Sequence, residues 1–134
     1  MEIYCLENFK TEFEKLKSKK SYDKLEQEII NYFFNKTPHQ LCSGTRLNHS
    51  NDTPYLKKRL GGRAGFRCYF LLVIKNNKLY LMFVHPKTGS QGAENITDDS
   101  KTSLYKKVLE CIESNNLYKL ELNNTKDKII FNRL

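Results

Sequence analysis

Cations and one imidazole gather in a single stretch, Leu56 to Gly89, which reads LKKRLGGRAGFRCYFLLVIKNNKLYLMFVHPKTG. Lys57, Lys58, Arg59 and Arg63 precede an apolar run, Arg67 lies inside it, and His85 and Lys87 close the next run. These residue types suit chemistry on a phosphodiester. Metal-free cleavage of RNA needs a group to accept the 2′-OH proton, positive charge to stabilise the phosphorane, and an acid for the leaving 5′-oxygen. Arginine suits the second role through its fixed fork of donors. Histidine suits proton transfer, with an ordinary pKa of about 6.5. Lysine becomes a useful base only where neighbouring cations lower its pKa, and Lys57, Lys58 and Arg59 are adjacent. Ordinary roles account for the same residues: Arg67 pairing with an acid across a sheet, His85 capping a strand-end carbonyl, and Lys57 and Lys58 facing water.

Other chemistries find less support. The chain has no HExxH, no GxSxG and no paired-carboxylate signature. Gly61-Gly62-Arg63-Ala64-Gly65 lacks the Lys-Ser/Thr that a phosphate-cradling loop requires, so a tight turn is the better reading. Lys87-Thr88-Gly89 and Ser21-Tyr22-Asp23-Lys24 match short elements of penicillin-recognising enzymes, in a chain far too short for that fold. Cys5, Cys42, Cys68 and Cys111 are widely spaced, with no CxxC, so neither a zinc site nor a metal of any kind is expected. His39 and His49 fall among turn formers and read as solvated. Glu94 could reach a site through its loop.

The elements that must position the cations follow from periodicity. A length of 134 residues predicts one domain over residues 1–134, large enough for a core without staples. Glu2 to Leu6 is a short β-prone run. Phe9, Phe13 and Leu16 recur on one helical face, and Tyr22, Leu25, Ile29, Tyr32 and Phe33 mark a second helix after a break and cap at Ser21. Lys15, Lys17, Lys19, Lys20 and Lys24 read as the solvated side of this helical hairpin. Asn35 to Pro54 is rich in turn formers and predicts a loop, with a short irregular strand near Leu41. Tyr55–Leu60, the alternating Phe66–Lys75 and the apolar Lys78–His85 predict strands, the last two joined at Asn76-Asn77 and central in a sheet. Pro86 ends the ladder because it has no N–H to donate. Asp98, Asp99 and Ser100 open a helix whose buried stripe includes Leu104, Val108 and Ile112, and Asn115-Asn116 close it. Residues 117–131 predict a final β-hairpin.

The net charge of +8 favours polyanionic partners. No apolar run reaches the roughly 20 residues a membrane span requires. The N-terminus has no signal-peptide pattern. The expected setting is therefore cytoplasmic, with the cysteines reduced and no membrane partner.

The order strand, helical hairpin, loop and sheet carries three runs: Leu56-Lys57-Lys58-Arg59-Leu60, Gly65-Phe66-Arg67-Cys68-Tyr69 and Leu81-Met82-Phe83-Val84-His85-Pro86-Lys87. Together they resemble the RelE/ParE superfamily of toxins from type II toxin–antitoxin systems, over the span from about Ile3 to Ser114. The resemblance implies a small α+β fold, in which an antiparallel sheet is packed by an N-terminal helical hairpin and a C-terminal helix. It implies a toxin restrained by a cognate antitoxin protein. For the RelE/HigB branch it implies an mRNA endoribonuclease that cuts on the ribosome without a cofactor and stops translation. By position, Arg67, His85, Lys87 and Lys57 are the expected catalytic set, and Lys58, Arg59, Arg63 and Tyr69 the expected RNA contacts. The hairpin after Leu117 extends past the family's common fold, and Tyr118 is a candidate for its base-stacking tyrosine, which no residue matches clearly. A ParE-like gyrase inhibitor and a non-catalytic RNA-binding regulator are the alternatives on the same scaffold.

Overall fold

The apolar spacings become elements in the order the sequence predicts. The computed structural model describes residues 1–62, 65–86 and 96–134. β1 (Glu2–Cys5) runs into α1 (Glu7–Lys17), which buries Phe9, Phe13 and Leu16. A 3-10 turn over Lys20–Tyr22 leads to α2 (Leu25–Phe33). The expected cap at Ser21 is corrected: α2 starts after Lys24, because Tyr22 is buried within the preceding turn. A cap contributes about 1 kcal/mol, and burying a large apolar side chain contributes about 1.5–3 kcal/mol, so the aromatic anchor sets the path.

The expected strand near Leu41 is instead a short helix, α3 (Pro38–Leu41). Its first turn is closed by a capping box. Thr37 Oγ1 accepts from the Gln40 backbone N–H at 3.4 Å, and Gln40 Oε1 accepts from the Thr37 N–H at 2.9 Å. β2 (Thr45–Arg46), β3 (Tyr55–Leu60), β4 (Phe66–Val73) and β5 (Lys78–Pro86) follow. Asn77, at φ 55°, turns β4 into β5, a conformation asparagine tolerates. α4 (Asp98–Ser114) is capped by Thr97 and ends at Asn115, which is left-handed with φ 57°. β6 (Tyr118–Leu122) and β7 (Ile129–Arg133) form the last hairpin.

The seven strands make one sheet in the order β2-β3-β4-β5-β1-β6-β7. β1 lies parallel to β5 and the other neighbours are antiparallel. The class is therefore α+β with a mostly antiparallel open sheet. α1, α2 and α3 cover one face, packing Phe9, Phe13, Ile29, Phe33 and Leu41 on Leu56, Cys68, Phe70 and Leu81. α4 covers the other, packing Leu104, Val108 and Cys111 with Tyr55, Tyr69, Leu71, Tyr80 and Met82. β4 and β5, apolar on both sides, are interior strands. Burial pushes the Cys5 and Cys68 thiols up, which makes them unreactive core residues. No helix among the described residues is long and apolar enough to cross a membrane.

One irregularity decides what faces α4. The β4–β5 register shifts between Tyr69 and Phe70: Tyr69 pairs with Phe83, and Phe70 with Leu81. Met82 is the extra residue of a bulge. A regular ladder from the Asn77 turn would set Val84 opposite Arg67. The bulge sets His85 there instead.

Candidate functional site

Two cross-strand rows build the site. Arg59, Arg67 and His85 are directly opposed on β3, β4 and β5, and Lys57, Tyr69 and Phe83 form the next row. Opposed residues have Cα atoms about 4.5–5.5 Å apart and project to the same face. That face is the α4 side, since Tyr69 and Phe83 belong to the α4 cluster. The β3–β4 connection holds the first row in place. Gly61 and Gly62 have φ of +81° and +63°, values that disfavour other residues. A Cβ on Gly65 would fall 2.3 Å from the Leu60 carbonyl oxygen, so the backbones approach as only glycine permits.

Arg67 is half-buried. Its Nη1 is shut off from water and has no hydrogen-bond partner among the described residues. Nor does any described carboxylate form a salt bridge with it. The acid pair that would have given Arg67 an ordinary structural role is thus missing among the described residues. A half-buried guanidinium with an unused donor is suited to an anion. Lys57 is also half-buried. Burial, then the charges of Lys101 and Arg67, hold its ammonium below the usual lysine range. His85 stacks on Phe83 with ring centroids 6.0 Å apart, and Phe83 lies 6.4 Å from the Tyr69 ring.

The sequence grouping needs two corrections. Lys58 faces the side covered by α1, α2 and α3, its Nζ 5.5 Å from the Tyr32 ring centroid, because strand alternation sends it away from Lys57 and Arg59. Tyr69 has no exposed surface, so it floors the site and cannot stack on a base from solution. Its hydroxyl oxygen accepts from the Ile96 N–H at 3.5 Å. Arg59 is exposed and joins the row. Arg63, Lys87 and Glu94 lie outside the described residues. Tyr118 is remote: β5 and β1 separate its strand from β4, and it packs edge-on against Phe131 at 6.3 Å.

Two contributors escaped sequence reasoning. Lys101 comes from the first turn of α4, where the sequence reads as an acid-rich helix start. Phe83 looked like one more core position in an unbroken apolar strand. Among the described residues, no group of three or more His, Cys, Asp and Glu could hold a metal ion.

Fold and site together define an α+β protein that carries a cation row, an imidazole and a floor of aromatic rings beside one helix. No family model, curated protein or solved structure matches the chain.

Proposed function

We propose that the chain is a toxin of the RelE/HigB type from a type II toxin–antitoxin system, an endoribonuclease that cuts mRNA on the ribosome and stops translation. The observation that carries this reading is Arg67 between Arg59 and His85 on the face that also bears Lys57, with an unused guanidinium donor and no ion pair to a described carboxylate.

Lys57, with its pKa lowered, takes the 2′-OH proton as the 2′-oxygen attacks phosphorus. Arg67 and Arg59 stabilise the charge that builds on the phosphorane oxygens. His85 is the group placed to give a proton to the departing 5′-oxygen. The P–O5′ bond breaks as the P–O2′ bond forms, leaving a 2′,3′-cyclic phosphate and a 5′-hydroxyl. The step moves one proton on to Lys57 and one off His85, so charge balances within the site. A cognate antitoxin would silence the protein by covering the cation face, and an acidic surface suits that task.

Expression in a bacterial host tests the reading. Growth should arrest, and mapped mRNA 5′ ends should show new cuts phased to codons. Arg67→Ala, at a half-buried position outside the core, should fold normally and reduce cutting by about 100-fold or more, in line with loss of a preorganised charge in a transition state. DNA breaks with unchanged mRNA ends would overturn the nuclease reading in favour of a gyrase inhibitor. Undiminished cutting by folded Arg67→Ala would overturn the assignment of the site.

A further inference from the structure

β7 ends the sheet, and no described strand pairs with its outer side. The opposite edge is β2, only two residues long. Short edge strands, prolines, lysines and bulges keep sheet edges from pairing further. β7 has none of these: it reads Ile-Ile-Phe-Asn-Arg and follows β6 in unbroken register. Its one charge, Arg133, is engaged within the chain. The guanidinium donates to the Leu117 carbonyl at 3.0 Å and to Asn116 Oδ1, and lies 5.4 Å from the Tyr118 ring centroid.

The hydrogen bonds fix which groups face outward. The Leu134 N–H donates to the Leu117 carbonyl and the Asn123 N–H to that of Lys128, each at 3.0 Å. Bonded pairs alternate along an antiparallel ladder, so Ile130 and Asn132 also bond to β6. Ile129, Phe131 and Arg133 therefore turn their backbone groups away from it. The outward N–H of Ile129 is held by Glu26 at 2.9 Å. Those of Phe131 and Arg133 have no strand beside them among the described residues. The side chains complete the pattern. Ile129 and Phe131 pack on the face covered by α1, α2 and α3, so Ile130, Asn132 and Leu134 lie on the other face. There Ile130 is 43% exposed and Leu134 50% exposed, one on each side of Asn132.

We infer that β7 pairs with β7 of a second copy of this chain, antiparallel about a two-fold axis at Asn132. The inference stands apart from the nuclease reading. A two-fold interface must be complementary to itself, and one register is. Centred on Asn132, it sets Phe131 opposite the partner's Arg133, and Arg133 opposite the partner's Phe131. Both pairs then exchange N–H and carbonyl bonds, which uses the outward groups that the fold leaves open. Ile130 meets the partner's Leu134 at the non-bonded positions, where opposed side chains come closest. Both exposed apolar side chains thereby leave water. A register centred on Phe131 would need the Ile129 N–H that Glu26 holds. One centred on Arg133 would oppose two guanidinium groups. β6 and β1 separate β7 from β5, so the dimer leaves the cation row open.

Sedimentation of the purified full chain over a range of concentrations tests this. A dimer should form with a dissociation constant of about 100 μM, in keeping with a small contact. Ile130→Lys with Leu134→Lys sets like charges against each other across the axis, and should weaken the dimer about tenfold or more. Both positions are exposed, so circular dichroism should match the wild type. Ile130→Glu with Leu134→Glu should behave the same way. An equimolar mixture of the two double variants should recover the dimer, because opposed positions then carry opposite charges. Asn132→Cys, also at an exposed position, should form a disulfide-linked dimer on oxidation, since the axis sets the two thiols face to face. The wild-type cysteines should give no such link. A chain that stays monomeric at about 1 mM would overturn the dimer and leave the edge to a strand of a different protein. A dimer that both charged pairs leave intact, or a mixture that recovers nothing, would overturn the pairing about Asn132.

Discussion

Lys57 is the residue whose protonation state governs the proposed chemistry. Burial and the charges of Lys101 and Arg67 all lower its pKa. A basic group with a folded-state pKa below its unfolded value binds fewer protons in the folded state between the two values. Stability contributed by Lys57 is therefore smallest below the folded pKa and increases as pH rises toward the unfolded value. Neutral Lys57 and protonated His85 are both required, so cleavage should pass through a bell-shaped optimum whose alkaline limb breaks at the folded pKa of Lys57, short of the ordinary lysine value of about 10.4. Lys101→Ala removes one of the repelling charges, so that limb should move to higher pH and the rate at neutral pH should fall. An NMR titration of the Lys57 side chain should show the same upward shift without reference to activity; an unchanged titration would remove Lys101 from the site. The sequence made Arg67, Lys57 and His85 visible as chemistry-bearing types. It could not assign faces. Lys58 appeared equivalent to Lys57, yet strand alternation alone sends the two to opposite sides of the sheet.

At the scale of elements, the legible features were those with a strong period or a strong turn. Phe9, Phe13 and Leu16 announced α1, Asn77 the β4–β5 turn, and Asn115 the end of α4. The bulge at Met82 was not legible, because β5 is apolar on both faces and a register shift leaves no mark in such a run. Yet that shift brings His85 to Arg67. Equally hidden was the carboxylate that ties the two ends of the chain together. Glu26 of α2 is buried; its Oε2 accepts the Ile129 N–H at 2.9 Å, and its Oε1 lies 3.2 Å from Lys17 Nζ and 3.5 Å from Lys128 Nζ. Lys17 thus has a partner, where its helix face had read as solvated. The ammonium groups are partly exposed and contribute little. The hydrogen bond to a charged acceptor contributes more, and its loss strands the Ile129 N–H. Glu26→Ala should cost about 3 kcal/mol in urea unfolding, and Glu26→Gln, which still accepts that bond, about 1 kcal/mol. Hydrogen exchange should report the loss first at the Ile129 amide. Equal stability of the two variants would show that charge, not the hydrogen bond, holds the final hairpin to α2.

For the molecule as a whole, the net charge of +8 is spread unevenly in its effect. Cations on the side covered by α1, α2 and α3, such as Lys17 and Lys58, are engaged by Glu26 and by the Tyr32 ring. Arg59 and Arg67 share the α4 side of the sheet with Lys57 and, from α4, Lys101. Polyanion binding should therefore depend on one face, not on total charge. A single-stranded RNA blocked by 2′-O-methyl groups cannot be cut, so it reports binding alone. Each phosphate contact contributes about −0.7 to the slope of log affinity against log salt concentration. Arg67→Ala should make that slope shallower by about 0.7, and Arg59→Ala by a similar amount. Lys24→Ala removes the same formal charge from an exposed position at the start of α2, and should leave the slope unchanged. If all three variants shift the slope alike, the protein attracts RNA by overall charge and the cation row has no privileged part in binding. If Lys24→Ala alone is silent, the β3–β5 face is the RNA surface, and an antitoxin that inhibits the protein should compete with the blocked RNA for it.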